Sequence, residues 1–404
     1  MTPRSFSVEV VEKLQNAGFD AFWAGGCVRD QILGIEPQDY DVATNATPDQ
    51  IRETFGKNKT LAIGAAFGVI TVLGHKPAGQ VEVATFRKDG GYSDGRRPDN
   101  IEFTDAKEDA LRRDFTINGM FLDPTTGKLI DYVNGQEDLG KRLIRAIGVP
   151  EDRIQEDKLR MLRAVRFAAT FEFAIEPETM RAIQDAATEL TVVSGERIGT
   201  EMRRMLTHPN RATAVSLLRE TKLLEKVIPN ADTLFSNKEN WDTLLSQLRR
   251  LEGGFESALA ILMEPIFTDS AFDSVSDGWK LSNYEIKTVR WIHQNWKTLV
   301  DAEQQPWSVI QPLLIQKQAP SGLAMAACQT ETPPSGVDFC RDRLAWKPDK
   351  LDPPPLLDGG ALIKLGITPS PKFSLILSDV RTAQLDGEIS TTEQAVERAR
   401  QMVG

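Results

Sequence analysis

The spacing of apolar residues changes once along this chain, near Pro150, and that change divides what its two parts can fold into. Before about residue 145, short apolar runs of strand length alternate with helical pieces; after it, apolar positions recur only at helical spacing. Residues 6–17 carry Val10, Val11, Leu14 and Ala17 on one helical face, with Gly18 as the stop. Residues 20–24 read as a short strand, and Gly25-Gly26 turns it into a helix over 28–33 that ends at Gly34. A strand follows at 39–42, and Thr47-Pro48 opens a helix that runs to Phe55. The apolar runs 67–73 and 81–86 read as neighbouring strands joined by the turn 74–79. Residues 87–100 hold three glycines and no apolar period, the pattern of a flexible loop.

In the second part, the spacing predicts a helix over 157–171 from Leu159, Leu162, Val165, Phe167 and Ala169. Arg160, Arg163 and Arg166 recur every third residue between them and form one stripe. Further helices are expected at 177–189, 196–206, 210–221, 239–251, 256–263, 284–300, 307–316 and 391–402, with turn-rich stretches at 331–338 and 349–360. The fold class is therefore α+β: a small mixed sheet over 1–145, then all-helical segments expected at 146–226, 227–348 and 349–404. A chain of 404 residues exceeds what one hydrophobic core usually serves.

Charge separates the same regions. Lys+Arg against Asp+Glu number 15 and 22 over 1–140 (net −7), 16 and 13 over 141–226 (net +3), and 17 and 23 over 227–404 (net −6). Only the middle segment is basic, and its cations are mostly Arg, the side chain suited to planar recognition of phosphates and bases. Solvated helix faces would show the same composition. No apolar run approaches the roughly 18 residues that span a bilayer, and the N-terminus lacks a secretion signal, so a cytoplasmic protein with no membrane partner is expected. Cys27, Cys328 and Cys340 lack metal-ligand spacing and are expected as reduced thiols. His75, His208 and His293 are too dispersed for a His-rich metal site.

The densest chemistry lies in Gly25-Gly26-Cys27-Val28-Arg29-Asp30 and Asp39-Tyr40-Asp41. Side chains at i and i+2 of a strand share a face about 7 Å apart, so Asp39 and Asp41 point the same way while Tyr40 points oppositely. Two carboxylates on one face call for a cation, and a small set of oxygen ligands suits Mg²⁺, which fills its shell from water and phosphate. Gly26 lets backbone N–H groups approach a phosphate, within reach of Arg29; a plain strand-to-helix turn is the alternative. Glu82, alternating with Val81 and Val83, is either a third carboxylate near the metal or the cross-strand partner of a base.

These two motifs resemble the active-site signature of the bacterial tRNA nucleotidyltransferase (CCA-adding enzyme) and poly(A) polymerase family, within the polymerase-β-like nucleotidyltransferases. Four further blocks are similar to that family in order and spacing: Arg112-Arg113-Asp114-Phe115-Thr116-Ile117-Asn118, Arg145-Ala146-Ile147-Gly148, the stretch 156–167, and Ser194-Gly195-Glu196-Arg197-Ile198. The resemblance implies a nucleotidyltransferase head followed by a helical neck, body and tail. It implies a reaction in which an RNA 3′-hydroxyl attacks the α-phosphorus of CTP or ATP and pyrophosphate leaves, with two metal ions. In that reaction Asp39 and Asp41 would hold Mg²⁺, with Glu82 a possible third catalytic carboxylate. One of Arg112 and Arg113 would reach ribose or phosphate, and Asp114 or Asn118 the 2′-hydroxyl.

Asp157 and Arg160, three apart on the expected helix, form an ion pair or, in the reading the resemblance implies, a protein template. Asp157 then accepts from an exocyclic amino group and Arg160 donates to a ring nitrogen or carbonyl, which cytosine and adenine permit. Arg163 and Arg166 would face the triphosphate or orient the template. The loop 87–100, with Arg87, Asp89, Tyr92, Arg96, Arg97 and Pro98, resembles that of forms that add all three nucleotides to the tRNA 3′ end. Addition of A alone, CC alone or poly(A), and a silent RNA-binding protein, are the alternatives.

Overall fold

The computed structural model describes residues 2–90, 100–367 and 371–403. The chain forms two compact units, Met1–Pro229 and Asn230–Gly404.

The first unit opens with α1 (Pro3–Asn16), started by a capping box between Thr2 and Ser5 and burying Phe6, Val10, Val11 and Leu14. Strands β1 (Ala21–Ala24), β2 (Val42–Thr44), β3 (Thr60–Leu61), β4 (Val69–Leu73) and β5 (Gln80–Thr85) follow, interrupted by α2 (Gly26–Ile32) and α3 (Pro48–Phe55). After them come a separate hairpin of β6 (Arg87–Gly90) and β7 (Asn100–Phe103), then α4 (Ala106–Leu111), β8 (Phe121–Leu122) and β9 (Leu129–Ile130). Seven strands make one mixed sheet in the order β3-β4-β5-β2-β1-β8-β9. Within this sheet β2 and β5 run parallel and the other paired neighbours antiparallel; a separate parallel pair joins Leu143–Ile144 to Ala174–Ile175, so the segment 146–226, expected to be all helical, contributes one short strand. One face packs Trp23, Val42, Ile70 and Val83 into the core, while Ala24, Ala43, Phe86 and Phe121 belong to a second buried cluster.

This topology gathers chemistry at one sheet edge. The end of β1 lies against the start of β2, with Trp23 opposite Val42, and against the start of β8, with Ala24 opposite Phe121. Because β5 is parallel to β2 and places Val83 beside Val42, its first half reaches the same edge.

Two sequence expectations need correction here. The 39–42 strand begins only at Val42; Asp39 lies in a bend, although the Asp41 carbonyl already accepts from the Ala24 N–H at 3.0 Å. The 87–100 loop is strand at its base, with Arg87 opposite Phe103 and Gly90 opposite Asn100. Tyr92, Arg96, Arg97 and Pro98 lie outside the described residues.

Among the described residues six α-helices complete the unit after α5 (Gly135–Lys141): α6 (Pro150–Glu156), α7 (Leu159–Phe171), α8 (Pro177–Ala186), α9 (Gly195–Thr207), α10 (Arg211–Glu220) and the short α11 (Leu224–Val227). The helix expected from residue 157 starts at Leu159. Asp157 instead ends α6 in an extended conformation (φ −150°, ψ 104°), and its side chain accepts the Leu159 N–H at 3.0 Å. A carboxylate that competes for backbone N–H groups favours such a break over a helix interior.

The second unit is helical, with its largest elements at Lys238–Arg250, Phe255–Met263, Asp269–Trp279, Asn283–Val300, Trp307–Leu314, Ala319–Ala327, Ser335–Leu344, Pro371–Leu385 and Thr392–Val403. Asp269–Trp279, Ala319–Ala327, Ser335–Leu344 and Pro371–Leu385 go beyond the sequence expectation, and the third begins inside the turn-rich stretch 331–338. Two of them were hidden by glycines that serve packing. A Cβ on Gly336 would meet the Val300 carbonyl at 2.2 Å, and one on Gly322 would meet the Trp291 ring at 2.6 Å. Close approach between helices, and no turn, requires these residues.

Candidate active site

Leaving β1, Gly25 takes φ 73° and ψ −128°, a conformation open to glycine alone, and a Cβ there would stand 3.0 Å from Nη1 of Arg113. The turn feeds α2, whose Arg29 is 7% exposed. Its Nε donates to Asp30 at 2.8 Å and its Nη1 to Asn118 Oδ1 at 2.7 Å, while the guanidinium lies 4.4 Å from the Phe171 ring centroid and 5.3 Å from that of Phe167.

Tyr40 is buried against Trp23 with ring centroids 4.8 Å apart, while Asp39 and Asp41 face solvent, as the alternation predicts. Glu82 sits beside Asp41 across the parallel β2–β5 pair and opposite Thr71 on its other side, so its cross-strand neighbour on β4 is no base. The Asp41 carboxyl is pushed up to about 6, first by its enclosure in the cleft and then by the Glu82 carboxylate, with Arg113 pulling the other way and Asp39 adding a smaller push. A carboxylate whose near neighbours are two more carboxylates belongs to a donor set short of positive charge. Such a set fits a divalent cation that draws its remaining ligands from phosphate and water. Among the described residues no group of three or more His, Cys, Asp or Glu side chains is arranged to hold a metal ion, so most of such a cation's shell would come from phosphate and water.

The block 112–118 is tied down by a residue the sequence reading passed over. Asp109 is 1% exposed and accepts from Arg112 (Nε 2.9 Å, Nη2 2.6 Å) through one oxygen and from Arg113 (Nε 3.1 Å, Nη2 2.9 Å) through the other. Arg112 also reaches the Arg87 carbonyl and Asp89 of the hairpin, whereas Arg113 Nη1 turns to the Asn118 carbonyl at 3.3 Å, beside Gly25. The signal was legible: Asp109 precedes the two arginines by three and four positions, the helical ion-pair spacing.

Asp114 accepts Nε–H (2.9 Å) and Nη2–H (2.5 Å) from Arg163 and the Asn118 Nδ2–H (3.1 Å). Burial alone raises its proton affinity, but the Arg163 charge and these hydrogen bonds outweigh that and hold the carboxyl at about 2. A group depressed in the folded state stabilises it fully above its ordinary value of 3.8, and that contribution fades as pH falls toward 2. At neutral pH it amounts to roughly 2 kcal/mol. Urea unfolding of Asp114→Asn should therefore show a deficit at pH 7 that shrinks at pH 3; a deficit independent of pH would contradict the assignment.

Arg160 donates to the carboxylate of Glu156 at 2.6 Å and to the carbonyls of Arg153 and Arg112. Asp157 pairs with Arg197 of α9, so no ion pair joins Asp157 to Arg160. Arg166 donates to Glu201 at 2.5 Å; this carboxylate, 2% exposed, also neighbours Arg163 and Arg204.

The glycine turn, Asp41 and the arginines of α2, the 112–118 block and α7 line one cavity of about 550 Å³. It is lined by every candidate catalytic and nucleotide-binding residue named from the sequence except Asp39 and Glu82, which lie beside Asp41; the loop residues Arg87 and Asp89 do not line it, and Phe167 and Arg204 are added. Seven arginines on its wall and Asp41 at one side make a site for a polyanion beside a cation-seeking carboxylate group.

Comparison with known proteins agrees with this layout. The family description "Poly A polymerase head domain" matches residues 21–145, and "Probable RNA and SrmB- binding site of polymerase A" matches 172–235. The CCA-adding enzyme of Lactobacillus gasseri is 33% identical, the match covering 96% of this chain and 95% of that one. That of Lactobacillus delbrueckii subsp. bulgaricus is 34% identical over 96% of each. Among solved structures, the Bacillus stearothermophilus CCA-adding enzyme in complex with CTP superposes with a TM-score of 0.81 at 29% identity, over 99% of this chain and 98% of that one. The Thermotoga maritima CCA-adding enzyme complexed with tRNA shares the fold, with a TM-score of 0.70 at 21% identity, over 99% of this chain and 95% of that one.

Proposed function

The chain belongs to the CCA-adding enzymes, tRNA nucleotidyltransferases with a poly A polymerase head domain, and from that premise we propose that it adds C, C and A to the tRNA 3′ end from CTP and ATP, releasing pyrophosphate. The observation that carries the reading is the single cavity in which Asp41 faces the same space as Asp157 and Arg160. Transfer chemistry and base choice then occupy opposite sides of one nucleotide.

Enzymes of this family generally use divalent metal ions, and we assign Mg²⁺ to Asp39 and Asp41, with Glu82 adding charge beside them. A divalent metal held there would make the attacking 3′-hydroxyl more acidic and offset the triphosphate charge. The chain's own groups do the rest. The backbone at Gly25-Gly26 admits the triphosphate without a Cβ in the way, and Arg113, beside that turn, is the arginine of its pair placed to face phosphate or ribose. Arg112 holds the hairpin base. Arg29 and Asn118 brace one another, and Asp114 orients Arg163.

Base choice follows from counting free hydrogen-bonding positions. A carboxylate offers about four acceptor sites, and Asp157 already accepts three N–H groups, from Leu159 and both Nη atoms of Arg197. One acceptor direction remains for the amino group of cytosine or adenine. Arg160 has five N–H donors and spends three on Glu156 and two carbonyls, which leaves about two for the ring edge. Uracil and guanine present a carbonyl where the amino group belongs, and a buried acceptor facing an acceptor is disfavoured by a few kcal/mol.

In this division residues 1–145 are the catalytic head, 146–226 the nucleotide-selecting neck, 227–348 the body and 349–404 the tail, acting in the cytoplasm. No helix among the described residues is long and apolar enough to cross a membrane. The test supplies tRNA transcripts ending before CCA, after C and after CC, each with labelled CTP or ATP. Addition of C to the first two and A to the third is expected. Incorporation of ATP on CC ends alone would mean an A-adding enzyme, arrest at CC a CC-adding one, long A tracts a poly(A) polymerase, and no transfer an RNA-binding protein.

A further inference from the structure

Asp157 is held from the side of a helix far from it in sequence. Arg197, on the first turn of α9, donates Nη1–H to Oδ1 at 3.1 Å and Nη2–H to Oδ2 at 2.7 Å, a side-by-side pair in which each partner is about one-fifth exposed. Arg197 does not itself line the cavity, whereas Asp157 does. We propose that Arg197 is a positioning residue for nucleotide choice: its fork fixes both oxygens of Asp157 and leaves one acceptor direction aimed at the incoming base. The inference rests on the reading of Asp157 and Arg160 as the base-contacting pair.

The geometry argues for positioning over simple neutralisation. The terminal torsion of an Asp side chain is broad, so one backbone N–H, from Leu159, leaves the second oxygen free to turn. A bidentate guanidinium removes that freedom, which a single ammonium does less well. There is also a competitor close at hand. Arg160 faces the same cavity with about two donors unspent, and a carboxylate released from Arg197 would turn to it. The two base-reading groups would then satisfy each other, and the edge that separates cytosine from uracil would be lost.

The experiment compares Arg197→Met, Arg197→Lys and Asp157→Ala in the full chain, measuring kcat/KM for CTP and for UTP on a tRNA transcript that lacks CCA, with thermal unfolding alongside. For Arg197→Met the CTP-over-UTP ratio should fall by about tenfold, chiefly through a raised KM for CTP, and Arg197→Lys should recover part of it. Loss of the ratio in Asp157→Ala but not in Arg197→Met would overturn the role of Arg197 and leave the base reading standing. A ratio unchanged in Asp157→Ala would overturn the base reading, and this inference with it. If Arg197→Met lowers kcat equally for both nucleotides and only depresses the unfolding temperature, the pair is structural and the proposal fails.

Discussion

An Asp41→Asn enzyme is expected to lose nucleotide transfer by about a thousandfold or more, the equivalent of roughly 4 kcal/mol of transition-state stabilisation. The substitution keeps the shape of the side chain and removes the charge from the group on which Glu82 and Asp39 converge. Folding should survive, because Asp41 lies at a solvent-facing edge and its backbone carbonyl, which the change leaves alone, makes the bond to Ala24. Binding of CTP should weaken far less than turnover, since the arginines across the cavity are untouched. Single-turnover rates and CTP titrations on the same preparation separate the two. Transfer within tenfold of the parent would remove Asp41 from the metal-binding assignment.

The second large effect concerns a residue that touches no substrate in this reading. Asp109→Ala strands two guanidiniums around a vacated buried site, since one carboxylate serves both Arg112 and Arg113. Breaking a buried pair from one side costs about 3–5 kcal/mol. Both arginines keep about a fifth of their side chains in water, which lowers the expected loss to about 2–3 kcal/mol. For a unit of this size the unfolding temperature should drop by roughly 5–10 °C. Activity should fall as well, through KM for both nucleotides, because Arg113 would no longer be held beside Gly25. A stability change below about 1 kcal/mol, the range of an exposed ion pair, would show that water replaces the carboxylate without consequence.

How much of this was legible depended on the range of each interaction. The glycine turn, the outward pair Asp39 and Asp41 with Tyr40 inward, and the arginine stripe of α7 all follow from chain geometry over a few residues. The glycine turn and the arginine stripe lie where that geometry predicts, and Asp39 and Asp41 face outward with Tyr40 inward although Asp39 lies in a bend before the strand. Glu82 was ambiguous for the opposite reason. Whether it meets a base or another carboxylate depends on which strands flank β5, and the parallel partner β2 is joined to it only through an intervening helix and hairpin. Helix 335–344 was obscured because Gly336 serves equally well in a turn and in a tight helix contact, and only the Val300 carbonyl beside it decides between them.

The sequence by itself determined the α+β class, with a small mixed sheet toward the N-terminus and a helical remainder, the identity of the chemical groups and the family to which they belong, because those rest on local periodicity and ordered motifs. The tertiary structure decided which charge answers which. Asp157 meets Arg197 forty positions away, Asp114 meets Arg163 across forty-nine, and Arg166 meets Glu201 across thirty-five. Ion pairing has no period along a chain; any of a dozen arginines satisfies a carboxylate equally well on paper. Packing of α7 against the block 112–118, and of α9 against α7, brings one of them to hydrogen-bond distance, and so fixes which side chains are held rigid and which keep a donor or acceptor for the nucleotide.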